Sequence, residues 1–256
     1  MGTLSGKVAI VTGTASEHGI GRAIARRYAE EGAALYLVDR DAKSDMEAAV
    51  RDCKSKAADA RVEFGLHDLA QDGAAETMVQ KAFELFGRID VLVNNAGVRA
   101  RMTVDEVTRP VFNEALAVNL AAPYFASQAA ARIMRRQGGG RIIHIASQMG
   151  TVANERRSVY GMTKAGLIYL AKAMSYELAP HGIIVNAISP GPVETGYMKA
   201  EWQRSPELQG ARTAYMRINR LGRPEEIAEV AVFLAGSAPD LLVGQNLIVD
   251  GGYTIH

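Results

Sequence analysis

Tyr160 and Lys164 stand four residues apart in SVYGMTKAGL, and Ser147 precedes the tyrosine by thirteen. If that run is helical, a spacing of four stacks the phenol and the ammonium on one face. A phenol ordinarily loses its proton near pH 10, and a neighbouring ammonium favours the phenolate. A tyrosine tuned in this way exchanges a proton with a hydroxyl or a carbonyl oxygen. A serine hydroxyl beside the same oxygen would orient it. Each residue alone has a plainer reading. Helical Tyr–Lys pairs are usually solvated surface contacts, and strand-end serines are usually caps. A nucleotide crevice in the same chain lifts the set above that background.

The crevice is suggested by TGTASEHGIG, Thr12 to Gly21, which follows the apolar run VAIVT and leads into an Ala- and Arg-rich stretch of helical period. Glycines there let the backbone approach a pyrophosphate, and the amides of a helix N-terminus favour its charge. Five residues separate Gly13 from Gly19, while Gly19 and Gly21 keep the tight G-x-G spacing. Gly13, Ser16, Gly19, Ile20 and Gly21 are expected at the cofactor, with Glu17 and His18 either bulging outward or reaching the adenosine. Asp39 ends the second apolar run about 20 residues on, where a carboxylate accepts hydrogen bonds from ribose hydroxyls. Its charge would repel a 2′-phosphate, which favours NAD. Arg40 and His18 are the cations that keep NADP as the alternative. Asp68, followed by Leu69, is placed either to hydrogen-bond the adenine or to cap a helix. Asn94, Asn95, Ala96 and Gly97 close the fourth run and are expected both to tie down the loop and to contact the ligand.

These residues need a scaffold that gathers strand ends. Seven short β-branched runs recur, at 8–12, 35–39, 62–66, 89–95, 141–147, 183–189 and 246–250, mostly separated by longer stretches of helical period. Near-continuous apolar strands imply burial on both faces. The expected fold is α/β: a Rossmann-like, doubly wound, seven-stranded parallel sheet with helices on both faces. The span 1–256 reads as a single NAD(P)-binding domain, with an irregular substrate lid at about 192–222. Hydrophobic residues at 48% and charged residues at 22% are ordinary for a globular chain. A net charge of +1 gives no global reason to expect nucleic acid or an acidic membrane as partner. Cys53 is the only cysteine, which excludes an intramolecular disulfide and a cysteine-based zinc site, and no metal is expected. The lone thiol, a polar N-terminus without a signal-peptide core, and no uncharged apolar run of about 18 residues together suggest a cytoplasmic protein.

On these residues the sequence resembles the short-chain dehydrogenase/reductase family, in the subgroup with a YxxxK active site. The resemblance runs from Lys7 to Tyr253. It is carried by TG…GIG, Asp39, Asp68, NNAG at 94–97, Asn119 in AVNL, Ser147 in HIAS, YGMTK at 160–164, Asn186, PGPVET at 190–195, LGRPEEIA at 221–228 and VDGG at 249–252. It implies Tyr160 as proton donor and acceptor, with Lys164 lowering its pKa and holding the nicotinamide ribose. Ser147 would position the substrate oxygen, and Asn119 would hold a water linking Lys164 to solvent. Pro190, Gly191, Val193 and Thr195 would wrap the nicotinamide end, Thr195 near its carboxamide. A homotetramer is implied, partly through the helix carrying Tyr160 and the C-terminal strand region. The chain departs from the family at the glycine loop, where three residues usually separate the first two glycines. The wider spacing looks like the branch that includes the enoyl-carrier-protein reductases, which reduce a carbon–carbon double bond and space tyrosine from lysine by seven. A spacing of four together with Ser147 favours interconversion of a secondary alcohol and a ketone, or of a sugar and its lactone.

In the family fold Arg99, Arg101, Asn154, Arg156 and Arg157 would border the substrate mouth. Ser147, Gln148, Asn154, Arg157 and Tyr160 are the expected substrate contacts, and they suggest a small polar molecule such as a sugar, polyol or hydroxy acid. Arginine suits a carboxylate or phosphate, although exposed loops are often charged in any case. Met149, Tyr197, Met198 and Trp202 would offer an apolar wall. The alternative is a 3-oxoacyl-[acyl-carrier-protein] reductase using NADPH. Arg132 stands where that group commonly docks its acidic carrier, but Tyr176 occupies a second such position and Asp39 argues against NADPH. A non-catalytic nucleotide sensor on the same fold would lack the tyrosine or the lysine, and both are present.

Overall fold

The computed structural model describes residues 2–40, 43–196 and 215–255. Seven apolar runs form seven strands: β1 (Val8–Thr12), β2 (Ala34–Asp39), β3 (Val62–Leu66), β4 (Val91–Asn94), β5 (Gly140–Ile145), β6 (Ile183–Pro190) and β7 (Asn246–Val249). They lie in the order β3-β2-β1-β4-β5-β6-β7, and every pair is parallel. The chain runs outward from β1 through β2 to β3, then returns to pair β4 on the other side of β1. Loops leaving the ends of β1 and β4 therefore diverge, and a crevice opens between them at the carboxyl edge of the sheet.

Among the described residues the helices are α1 (Ile20–Glu30), α2 (Lys43–Lys56), α3 (Ala74–Phe86), α4 (Arg109–Leu116), α5 (Ala122–Arg136), α6 (Ser158–Leu178) and α7 (Pro224–Ala235). Alternation along β1 divides the core in two. Ala9 and Val11 face Ile24, Tyr28, Met46 and Ile227 of α1, α2 and α7. Ile10 faces Met78, Ala126, Ala130 and Leu167 of α3, α5 and α6. Burial on both faces holds for β1, β4 and β6, which are buried at every residue. The edge strands β3 and β7 are largely not, because each has a neighbour on one side only. Cys53 is buried in the first core, and burial pushes its thiol up to about 12. It packs as a small hydrophobe, not as a nucleophile.

No helix among the described residues is long and apolar enough to cross a membrane. Of the stretch expected to form a lid, residues 197–214, with Tyr197, Met198 and Trp202, lie outside the described residues. At its two ends Val193 and Gly222 form a parallel bridge.

Candidate active site

The glycine loop leaves β1 through Gly13, whose φ of +75° only glycine adopts without cost. Gly13 N donates to Val38 O at 2.7 Å, which tucks the loop against β2. Gly19 N donates to Ser16 O at 2.9 Å, so Glu17 and His18 form the tip of a tight turn. Both are exposed, and neither lines the cleft, whereas Gly13, Ala15, Ser16, Gly19 and Ile20 do. The extra length bulges outward. Gly21 sits behind this wall, where a Cβ would come 2.3 Å from Gly13 O and 2.5 Å from Asn95 Nδ2. Gly21→Ala should push α1 off the loop, lowering stability by about 1–3 kcal/mol. It should also weaken NAD binding at least tenfold by calorimetry; unchanged binding would show the contact to be slack.

Thr12 stitches β1 to the loop after β4. Its Oγ1 accepts from Asn95 N and Ala96 N, each at 2.9 Å, and donates to Val93 O at 3.3 Å. Asn95 Nδ2 returns the tie, donating to Thr12 O at 2.8 Å and Gly13 O at 3.1 Å. Asn94 points into the core instead. Its Nδ2 donates to Ser127 Oγ and to His144 Nδ1, each at 3.1 Å. That bond places the imidazole proton on Nε2, which is buried with no partner among the described residues. Burial first, then the Lys164 charge, lowers the His144 pKa to about 3.

Between that value and 6.5 the unfolded chain binds a proton that the folded chain refuses, so His144 costs stability as pH falls through this window. His144→Asn should shrink the drop in urea midpoint between pH 7 and pH 4. An undiminished drop would assign the acid sensitivity elsewhere.

The residues expected to handle the proton both line the crevice. Tyr160 and Lys164 both lie on α6, with Lys164 Nζ 5.7 Å from the phenol ring centroid. Nζ is buried and donates to Ile145 O at 2.7 Å. Burial, with the Arg99 charge second, lowers its pKa to about 7. Asn119 sits in a π-helical turn, Ala117–Ala121, between α4 and α5. Such wide turns redirect a side chain out of the helical register. Its Oδ1 accepts from Val98 N at 2.8 Å, and Nδ2 donates to Val98 O and Thr163 Oγ1. Asn119 Oδ1 would lie 3.2 Å, and Lys164 Nζ 3.6 Å, from a Cβ built on Gly97, so Gly97 leaves the space between them open.

Ser147 stands two residues beyond the end of β5, not in its last position. It caps a short turn, Gln148–Gly150, accepting from Met149 N at 3.2 Å and donating to Gln148 Oε1 at 3.2 Å. The apolar pattern could not show that bend, because Ala146 and Ser147 continue an extended-looking run. Capping and facing the cleft coexist in this residue.

At the end expected to hold the adenosine, Asp39 Oδ2 accepts from Ala15 N at 2.9 Å and Oδ1 from Arg40 N at 2.8 Å. Arg40 Nη1 lies 3.4 Å from Glu114 Oε1. Asp68 caps no helix, because the N-cap of α3 is Gly73; its Oδ1 accepts from Ala70 N at 3.1 Å within a turn, and the residue lines the cleft with Leu69. At the far end a Cβ on Gly191 would sit 2.5 Å from Asp250 Cα. Nearby Thr195 Oγ1 is buried with no hydrogen-bond partner among the described residues.

The cleft has a volume of about 980 Å³. Of the described residues expected to contact cofactor or substrate, all line it except Asn94, which faces the core, and Gly21 and Asn119, which support it from behind. The lining includes Gly97 and the set expected at the nicotinamide end, Pro190, Gly191, Val193 and Thr195. Gln148, Asn154 and Arg157 line the mouth, as do Arg99 and Arg101. Asn154 Nδ2 donates to Tyr253 OH at 3.0 Å, and Arg156 pairs with Glu106 at 2.9 Å.

A family model described as enoyl-(acyl carrier protein) reductase matches residues 13–254. The D-threitol dehydrogenase of Mycolicibacterium smegmatis is 36% identical, over 98% of this chain and 94% of its own. An NAD-dependent glycerol dehydrogenase of Listeria innocua is 33% identical, over 98% and 95%. Among solved structures, a short-chain dehydrogenase/reductase of Serratia marcescens is 37% identical, covers 98% of this chain and 99% of its own, and superposes with a TM-score of 0.90.

Proposed function

Because the chain belongs to the short-chain dehydrogenase/reductase family, we propose that it is an NAD-dependent dehydrogenase of a small polar alcohol, a sugar, polyol or hydroxy acid, with Tyr160 as general acid–base. At the coarser level it is an NAD(P)-dependent oxidoreductase acting on CH–OH groups. The observation that carries the finer reading is the Tyr160–Lys164 pair at the centre of a crevice whose other end holds Asp39. A spacing of four supports alcohol chemistry over the double-bond reduction named in the family model's description.

The residues fit a dinucleotide. Gly13 turns left-handed where a Cβ would strike Asn95 and Ala96, so its bare backbone can line the cleft, and Thr195 Oγ1, which has no partner among the described residues, suits a carboxamide at the opposite end. When bound, the nicotinamide supplies the acceptor for hydride from the alcohol carbon. Tyr160 takes the hydroxyl proton in this reading, and the Lys164 ammonium favours the phenolate that does so. Ser147 Oγ turns from Gln148 to hold the substrate oxygen. Asn119 Oδ1 keeps one lone pair for a water beside Lys164. Each Asp39 oxygen likewise keeps a lone pair for a ribose hydroxyl. A 2′-phosphate would have to share Arg40 with Glu114 and lie against the Asp39 charge, which supports NAD.

A panel of sugars, polyols, hydroxy acids and a 3-oxoacyl thioester, each run with both cofactors, tests this. The expected result is turnover of a polar alcohol at least tenfold faster with NAD than with NADP. Equal rates would overturn the Asp39 argument, and NADPH-dependent reduction of the thioester alone would transfer the chain to the carrier-protein reductases. The family's homotetramer is proposed here too. Tyr124 and Phe125 of α5 and Tyr169 of α6 are exposed apolar side chains suited to contact, and sedimentation should give four chains per particle.

A further inference from the structure

The structure assigns Arg22 as the positioning residue of the widened glycine loop: its buried guanidinium draws the carbonyls of Thr14 and Ala15 inward and thereby aims the Ser16 amide into the cleft, at a diphosphate. This inference rests on the dinucleotide reading of the cleft. Arg22 is the third residue of α1 and is 1% exposed. A guanidinium so deeply buried needs its donors satisfied. Nε donates to Thr14 O at 2.7 Å, and Nη2 to Ala15 O at 2.6 Å and Asp45 O at 3.0 Å. Nη1 donates to Asp52 Oδ2 at 2.9 Å, which Arg26 shares. Neutralising a buried cation needs only the carboxylate. Gripping two successive loop carbonyls does something more, because it fixes the orientation of two peptide planes.

In a trans peptide the carbonyl and the following N–H point in opposite directions, and the described chain has no cis bonds. Thr14 O turned toward Arg22 therefore sends Ala15 N–H the other way, and there it meets Asp39 Oδ2 at 2.9 Å. Ala15 O turned toward Arg22 sends Ser16 N–H the other way by the same geometry. Ser16 is exposed and lines the cleft. Ala15 is thus held flat between a cation below and a carboxylate above, with only Ser16 between it and Glu17 and His18. Beyond them the Gly19 N to Ser16 O bond closes the turn. The clamp isolates the anion-facing amides from the added length.

Calorimetric titration of the full chain with ADP, NAD and adenosine tests the assignment. Arg22→Met should raise the Kd for ADP and NAD at least tenfold while adenosine, which lacks the diphosphate, changes less than twofold. With saturating NAD, kcat should stay within threefold while the KM for NAD rises. Arg22→Lys keeps the charge but not the planar fork, and should recover only a small part of the loss; it also decides the matter if the methionine variant fails to fold. Asp52→Asn removes the ionic partner and leaves the carbonyl grip, so melting temperature should fall while ADP affinity stays within twofold. Unchanged ADP affinity in folded Arg22 variants, or an equal loss in Asp52→Asn, would reduce Arg22 to a core ion pair. Failure of the unaltered chain to bind ADP would instead overturn the dinucleotide reading itself.

Discussion

Tyr160→Phe is expected to lower kcat by about 10²–10⁴-fold, the range that a positioned proton donor or acceptor supplies. The change removes one oxygen and keeps the ring that packs in the cleft beside Lys164. Calorimetric affinity for NAD should therefore stay within about twofold, which separates loss of proton transfer from loss of the site. Alcohol oxidation requires that the hydroxyl proton leave as hydride departs. Without the phenol, Ser147 can still hold the substrate oxygen but has no base behind it. A phenylalanine variant that kept more than a tenth of the parent's kcat would show that another group carries the proton.

Lys164→Met should show two effects of opposite sign. Turnover falls, by about 10²-fold or more on the same scale, because the ammonium that favours the phenolate is gone. The pH dependence of folding also changes. Burial holds the Lys164 pKa at about 7 in the folded chain, against 10.5 when unfolded. Below 7 both states carry the proton, and the full cost of burying the charge is present. Between 7 and 10.5 the unfolded chain binds a proton that the folded chain lacks, so stability rises with pH across that window. Methionine has nothing to titrate and abolishes this rise. At pH 6 its gain is of the order of a few kcal/mol, partly offset because Ile145 O loses its donor, at about 1–3 kcal/mol. The decisive measurement is the slope of urea-derived stability from pH 7 to 10.5. Parent and variant curves that run parallel would contradict the depressed titration.

Much of this architecture is written locally in the chain. Central parallel strands are apolar on both faces, so VAIVT and IIVNAIS declare themselves, and the seven expected runs coincide with the seven strands to within about two residues. Side chains at the ends of those strands were legible for the same reason: fixing the strand fixes where its end points. Asp39, Asn95, Ser147 and Thr195 line one cleft as a consequence of the strand order. What escaped is of another kind. Thr12 was visible as part of a TG pair, but its bonds to Asn95 and Ala96 span more than 80 residues. Arg22 reads as an ordinary polar residue of an amphipathic helix, and only its carbonyl partners reveal that it is buried. His144 gave no sign that its ring would be buried against Asn94, because hydrophobic periodicity says nothing of contacts across a sheet.

The Thr12 seam bears on how the protein comes to be active. Ala9 pairs with Val91 across a loop of 82 residues, and β1 and β4 have no shorter route to each other. Closing so long a loop is entropically slow compared with forming any helix or the local β1–β2 crossover. Half of the crevice is therefore made early and is useless until the other half arrives. A refolding chain should recover helical signal well before it recovers nucleotide binding, and a nascent chain that has not yet delivered Asn95 holds no site at all. Cofactor capture then pulls the last equilibrium forward, since a ligand that binds only the closed seam stabilises the completed fold.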